Sequence, residues 1–458
     1  FDGNVTMAGT LDVTGNGTVG GTLAVTGNQT NSGSVTITGD LASSTSGTSN
    51  FRAGVNAGDA IASGGDYNVV VGDEAGTALT TGDNNVAVGY EALKTEDAHG
   101  NNVAVGYQAL KVLDAGADGG NVAVGYQTGV AVTTGTNNTF IGNNAGYSNT
   151  DAGYNTAVGD TALYTNTKAT HNVAIGHKAL YTLNKTSSDA TRNTAVGNDA
   201  GASITTGYEN VFAGRRAGFN HTEGYRNTLL GVQAGAGITT GANNICIGYQ
   251  SAGYSGQTQI TTGGNNITIG NYARPSGSNV GYETIIGYNV GGQGTQTFTF
   301  GQGGTDTSIS FGGTSWSAPS DERLKENIKD ETIGLAFINE LRPVTFQWKK
   351  ANDIPEDMDG YDKDSDDRIM NGKHNHGFIA QEVKAVIDKY DIKDGCNLWQ
   401  ESPKDKRQRL AEGELIPFLV KAVQQLSTKV TALETENATQ ATQIADLISR
   451  VTALENAE

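Results

Sequence analysis

The chain has 458 residues, a formal net charge of −18 and 64 glycines, with 17% of its side chains charged. Clustered Lys and Arg are missing, which excludes a phosphate-binding nucleic-acid surface, and glycine in this abundance without a Gly-X-Y period excludes both collagen and a packed helical core. Two cysteines, Cys246 and Cys396, make no disulfide framework or metal set, and the best apolar run, "LIPFLV" at 415–420, falls far short of the roughly 20 residues of a membrane span.

The composition is divided. All glycines but Gly334, Gly360, Gly372, Gly377, Gly395 and Gly413 precede Ser320, and most charged side chains follow Pro319. Regular Val and Ile in the first part supply apolar surface to bury and argue against disorder. The expectation is a repetitive β-structure followed by a compact α+β module.

Residues 1–50 open with twelve-residue units, "GTLDVTGNGTVG" (9–20), "GTLAVTGNQTNS" (21–32) and "GSVTITGDLASS" (33–44). Each is a short alternating strand ended by a glycine turn, so a thin β shaft is predicted. Residues 51–67 are read as a linker. From Asn68 a second repeat begins with "NVVVG" and continues through "NVAVG", "NTFIG", "NVAIG" and "NICIG" to a degenerate "ETIIG" ending at Gly287, mostly in steps of 17 residues. Positions two and four are mainly apolar and mark the strand face expected to be buried. Gly and Asn supply turns with φ > 0. A 17-residue unit cannot bury its own face, so successive units over 68–290 must stack as coils of a β-solenoid or β-roll. Longer steps such as "TSSDAT" (186–191) should bulge from one face. These units resemble repeats in the heads of trimeric autotransporter adhesins and in phage tail fibres.

A strand-rich neck is expected over 291–319, an α+β domain over 320–413 and a helix over 414–458. In that helix, residues from Ile416 to Leu454 keep heptad spacing, interrupted by Asn437 and Gln440, so a parallel coiled coil is predicted. "SDERLKENI" (320–328), "LRPVTFQWK" (341–349), "HGFIAQEV" (376–383) and "LIPFLVKAVQQL" (415–426) stand in this order ahead of the coiled coil. Together they resemble the C-terminal intramolecular chaperone and self-cleaving domain of phage tail fibres and endosialidase-type tailspikes. The resemblance implies a fibrous homotrimer whose C-terminal domain directs trimerisation and then cuts itself off at Pro319–Ser320. It also implies Ser320 as nucleophile and Lys325 as base.

The chemistry is sound in itself. A serine hydroxyl attacks only when a base takes its proton, and lysine serves when its pKa is depressed by burial or a neighbouring cation such as Arg323. His376 stands where it would stabilise the oxyanion or assist proton transfer. The alternative is that Ser320 only caps a helix beginning at "DERLKENI", with Asp321 and Glu322 favourable in its first turn.

Other motifs carry less. In the acidic run 353–367, Asp362, Asp364 and Asp366 alternate like the first ligands of an EF-hand loop, but Asp367 replaces its glycine and Lys373 its glutamate. His374 and His376 lack further ligands, so neither metal nor cofactor is expected. Trp348 and Trp399 are read as core anchors of the tail domain, and Trp316 as packing where shaft meets chaperone. Tyr90, Tyr107, Tyr126, Tyr249 and Tyr288 follow repeat glycines, where they would stack on sugars or line a surface between chains.

The reading is a trimeric phage tail fibre or receptor-binding protein of the virion. It would be made in the host cytoplasm and act outside the cell on a glycan or outer-surface protein of the host. A preceding segment before Phe1 is expected to join other tail proteins, and no membrane insertion is expected. Rival readings are a bacterial surface adhesin and a glycan-degrading tailspike, whose paired carboxylates are not evident among scattered acids.

Overall fold

The computed structural model describes residues 46–253, 256–403 and 406–456. The twelve-residue units therefore lie outside the described residues. Two compact units divide the chain between Ser320 and Asp321.

The first unit is a solenoid. Fourteen short strands, β1 (Phe51–Ala53) to β14 (Thr284–Tyr288), pair in parallel and in strict chain order. Register is kept coil by coil: Ala157 faces Ala174, which faces Ala195. Two rows of residues explain why each strand is only three residues long in most coils. At the start of each strand from β1 to β13 sits a buried asparagine. Its Oδ1 accepts the backbone N–H of the next asparagine, as Asn210 does from Asn227 at 3.0 Å, and its Nδ2 donates to a carbonyl, as Asn227 does to Gly241 at 2.9 Å. The side-chain amide thus replaces the backbone pairing that the turn would otherwise lose. At the end of each strand sits a glycine held at positive φ. Gly159 has φ 137°, and a Cβ there would lie 2.7 Å from the carbonyl carbon of Gly176 in the next coil. Only glycine lets the coils approach this closely.

The interior corrects one expectation. In β2 (Val69–Val71) through β14, the residue at repeat position three is buried, while the residues at repeat positions two and four are half-buried or exposed. A 17-residue coil is narrow and encloses a single row of strand side chains. Alanine is the commonest residue of that row, which packs against Leu110, Leu163, Leu180 and Ile204 across the coil. Where the row carries Phe140 or Phe212, glycine makes room: a Cβ at Gly146 or Gly218 would meet those rings at 2.7 and 2.5 Å.

The repeat region also starts earlier than its clearest copies. Asn50-Phe-Arg-Ala-Gly54 forms the first of the described coils, with Asn50 Oδ1 accepting the Asn68 N–H at 2.8 Å, so 51–67 is part of the stack and not a tether beside it. The degenerate last copy keeps the row with Glu283, whose N–H donates to Asn266 and whose carboxylate accepts from Ser276 and Gly294. In the longer coil, 186–189 are exposed, as a bulge requires, and Thr191 turns in to donate to Asn172 at 2.7 Å. β15 (Thr297–Gln302) continues the parallel order, and β16 (Thr307–Ser310) pairs with it antiparallel, ending the stack in a hairpin.

The second unit is a small α+β domain. Its core holds Phe337 from α1 (Leu335–Glu340), Val383 and Ile387 from α2 (Ala380–Lys389), Leu398, Leu415 and Phe418. The rings of Phe337 and Phe418 lie 5.1 Å apart. Two antiparallel pairs complete it: β17 (Val344–Phe346) with β18 (Asn375–Gly377), and β19 (Trp399–Glu401) with β20 (Gln408–Leu410). Trp399 packs on this core, with its Nε1 donating to Gln408 at 3.0 Å, whereas Trp348 packs edge-on to Phe346. The last element is α3 (Ile416–Glu455), started by Pro417 in its first turn. Phe418 and Ala422 anchor its first turns, and Gln425 accepts the Leu335 N–H at 2.7 Å. Among the described residues, no helix is long and apolar enough to cross a membrane.

Candidate processing site and exposed apolar rows

The chain approaches the seam already pinned. Ser317 and Ser308 exchange two backbone hydrogen bonds, of 2.8 and 2.7 Å, so the strand-like path continues beside β16. Trp316 packs edge-on to Phe298 and Phe300, at 5.7 and 5.4 Å, and so belongs to the neck. Pro319 and Ser320 follow as exposed residues at the end of the first unit.

After the seam, the expected helix is a single 3₁₀ turn, Glu322–Leu324. Asp321, not Ser320, caps it: its carboxylate accepts the Arg323 N–H at 2.9 Å. The same carboxylate binds the Arg323 guanidinium at 2.9 and 2.6 Å, which holds Asp321 below the usual carboxylate range. Lys325 closes the turn in extended conformation, with its N–H donating to the Glu322 carbonyl at 3.0 Å, and Asn327 at φ 56° prevents continuation. The charge of Arg323 is thus engaged by Asp321. His376 lies mid-strand on β18, opposite Thr345, and is exposed. The unit boundary falls between the candidate nucleophile Ser320 and the candidate base Lys325.

Two acidic groups bear on the metal question. Asp362 accepts the Asp364 N–H at 3.0 Å, while Asp366 is bound by Lys350 Nζ at 2.7 Å and lies below its usual range for that reason. This run is a surface loop tied to itself. Sequence reading missed a second group: Glu96, Asp97, His99 and Asp114 bring one ligand atom each to within 4.8 Å of one another, a set able to hold a cation. Glu96 is buried, and desolvation raises its pKa against hydrogen bonds from Ala115 and His99. The repeat hides this set, because the coils that supply it are 17 and 19 residues apart in step.

Tyrosines of successive coils meet, Tyr249 and Tyr288 edge-on to Tyr272 and others face to face in rows. Rings of Tyr90, Tyr107 and Tyr126 are 5.4 and 5.2 Å apart and nearly parallel, and Tyr147, Tyr164 and Tyr181 make a second such row. Ring faces within a row are occupied by neighbouring rings, which leaves edges and hydroxyls outward.

The heptad row of α3 is the clearest unpartnered feature of the second unit. Leu419, Val423, Leu426, Val430, Leu433, Ile444, Leu447, Val451 and Leu454 are between 44% and 70% exposed in the single chain. A heptad row along a 40-residue helix is the sequence pattern of a coiled-coil seam.

No curated protein and no solved structure matches the chain. Residues 320–392 match the family described as the chaperone of endosialidase, and the match begins at Ser320 itself.

Proposed function

We propose that this chain is a homotrimeric phage tail fibre or receptor-binding protein that attaches the virion to its host, and that residues 320–458 assemble the trimer and then release themselves. The observation that carries the reading is the chaperone match over 320–392, opening at the serine where the glycine-rich part stops. The exposed heptad row on α3 supports it, since three copies bury that row together.

The physical need for an assembler is specific. Strands of three residues with near-identical neighbours pair equally well one coil out of register. A separately folding helical clamp holds three chain ends together and selects one alignment before the coils form.

For release, Ser320 Oγ attacks the Pro319 carbonyl carbon while Lys325 Nζ takes the hydroxyl proton. The C–N bond breaks, the proton passes to the departing Ser320 amine, and Pro319 is left as an ester on Oγ. Water then opens the ester, giving a Pro319 carboxylate and restoring the Ser320 hydroxyl. His376 polarises the carbonyl oxygen or relays the proton. One event per chain suffices, so modest acceleration is enough. Host contacts would come from the turns and the 186–189 bulge, with a glycan or outer-surface protein as receptor.

Expression without residues 320–458 tests the assembly role. The reading predicts aggregated or monomeric chains, and soluble trimers of the truncated chain would refute it.

A further inference from the structure

We propose that the end of the glycine-rich part holds the scissile segment as a bound substrate strand, so that the β15–β16 hairpin and the cleft beside it position the Pro319–Ser320 bond for the cut. The inference rests on the self-release reading above and assigns to this hairpin a share of the site that the tail residues do not supply.

Ser317 is held through its main chain. Its N–H donates to the Ser308 carbonyl at 2.7 Å, and its carbonyl accepts the Ser308 N–H at 2.8 Å. Its Oγ also reaches the Ser308 carbonyl at 3.1 Å and lies 2.9 Å from the Ser308 Oγ. A residue that exchanges both main-chain bonds with its opposite is a rung of an antiparallel ladder. Extended peptides are bound in this way by strand addition, where the main chain gives the hold and side-chain contacts give the selectivity.

Trp316 supplies the side-chain contact. Its ring lies edge-on to Phe298 and Phe300, at 5.7 and 5.4 Å. Both phenylalanines are on β15, which pairs with β16 so that Phe298 faces Ile309 and Phe300 faces Thr307. Rung and aromatic anchor are therefore two contacts with one hairpin, and the scissile bond follows Ser317 by Ala318 and Pro319 alone. Proline fixes its own φ near −65° and biases the residue before it towards extended backbone, so this short lead has little freedom. Ser320 and the carbonyl it attacks belong to the same compact unit as the hairpin.

Ala318 and Pro319 border a polar cleft of about 220 Å³, whose other walls are Gln293, Asp306, Ser308 and Ser317. Asp306 is buried, and its Oδ2 accepts the Gln293 Nε2–H at 2.8 Å, which fixes that wall. The cleft is large and polar enough to admit water, which the second step of release consumes when it opens the ester at the Pro319 carbonyl carbon. Alignment made before the reaction is worth a large part of a barrier, and a misplacement of about 1 Å can cost about a hundredfold in rate. Ser308, Trp316, Phe298 and Phe300 are thus positioning residues, acting through the path of the chain they hold.

The test is the rate of self-cleavage of the full chain, read by intact mass over time and taken per assembled chain from native mass on the same samples. A Gly-Gly insertion between Ala318 and Pro319 keeps the rung, the anchor and every residue from Pro319 onward, but adds about 7 Å of slack between hold and bond. Trp316→Ala removes the anchor, and Trp316→Phe returns an aromatic ring to it. The insertion and Trp316→Ala are each expected to slow cleavage by about tenfold or more, while Trp316→Phe cleaves like wild type. A wild-type rate in either the insertion or the Trp316→Ala variant would overturn this inference and leave self-release standing. A wild-type chain that stays uncut would overturn both.

Discussion

Replacing Asn227 by alanine removes one rung from the asparagine row. Its Oδ1 accepts the Asn244 N–H at 3.0 Å and the Asn244 Nδ2 at 3.1 Å, and its Nδ2 donates to the Gly241 carbonyl at 2.9 Å. Asn227 and Asn244 are fully buried, so water cannot replace the lost partner. The Asn244 amide and the Gly241 carbonyl are stranded, at about 1–3 kcal/mol each, for a loss of about 2–6 kcal/mol. Asn143→Ala is the control: its Nδ2 reaches Asp160 at 2.7 Å on the exposed surface, and its removal should cost under about 0.5 kcal/mol. Coils interact with nearest neighbours, so the damage should be local. Hydrogen exchange of the 228–247 amides should accelerate by at least tenfold, and the denaturant midpoint should fall. Asn227→Asp adds a second signature. It keeps the acceptor for Asn244 but loses the donor to Gly241 and buries a charge, so its stability should recover partly on acidification as the carboxyl protonates. If Asn227→Ala matched Asn143→Ala within about 0.5 kcal/mol, the row would not hold the coils together.

Further outcomes follow from single positions. Gly159→Ala, with φ 137° and a clash at 2.7 Å, should cost at least about 2 kcal/mol in thermal unfolding, whereas Gly116→Ala, open within 4 Å at φ 65°, should cost about 1 kcal/mol. His221 is buried, with Nε2–H donating to the Gly224 carbonyl at 2.9 Å and Nδ1 unpartnered, and burial lowers its pKa to about 4. The unfolded chain takes up that proton near 6.5, the folded chain only near 4. Stability is therefore whole above about pH 6.5 and falls between there and pH 4, on the order of 3 kcal/mol. His221→Leu, matching Ile204 and Ile238 one coil away on either side, should raise stability and remove that pH dependence in acid titration of the melt. Phe337→Ala should destabilise the tail domain by about 3–5 kcal/mol and lower the yield of assembled chains on native gels.

Periodicity carried much of the fold, and its limits are instructive. Thirteen glycine-ended copies placed β2 to β14 because each copy holds the two residues that stacking demands: an asparagine, or Glu283 in the last copy, to bridge coils and a glycine to let them touch. Which face is inside was not readable from apolarity. Both faces of these strands are apolar, and alternation cannot choose between an Ala row inside and a Val/Ile row outside. Volume was the signal: alanine is in the middle because the coil is narrow, and the larger residues are left outward. "NFRAG" at 50–54 was hidden by Arg52 in the core row, which in the first of the described coils pairs with Asp59 at 2.8 Å. At the seam, residue types suited either a nucleophile or a cap. The structure gives the cap to Asp321, whose shorter reach to the Arg323 N–H and guanidinium no spacing rule separated from Ser320. The heptad row of α3 was the plainest element, since a 3–4 spacing over about ten turns has one structural meaning. The Glu96 cluster joins two coils of unequal length, and no linear pattern announces it.

Native mass spectrometry of freshly expressed full-length chain, wild type beside Ser320→Ala, tests the central claim most directly. The account predicts trimers in both. Wild-type chains should end at Pro319 beside a released 320–458 fragment, and the variant should remain uncut. Uncut monomers in the wild type would contradict it, and cleavage at the same bond in Ser320→Ala would remove the serine from the chemistry.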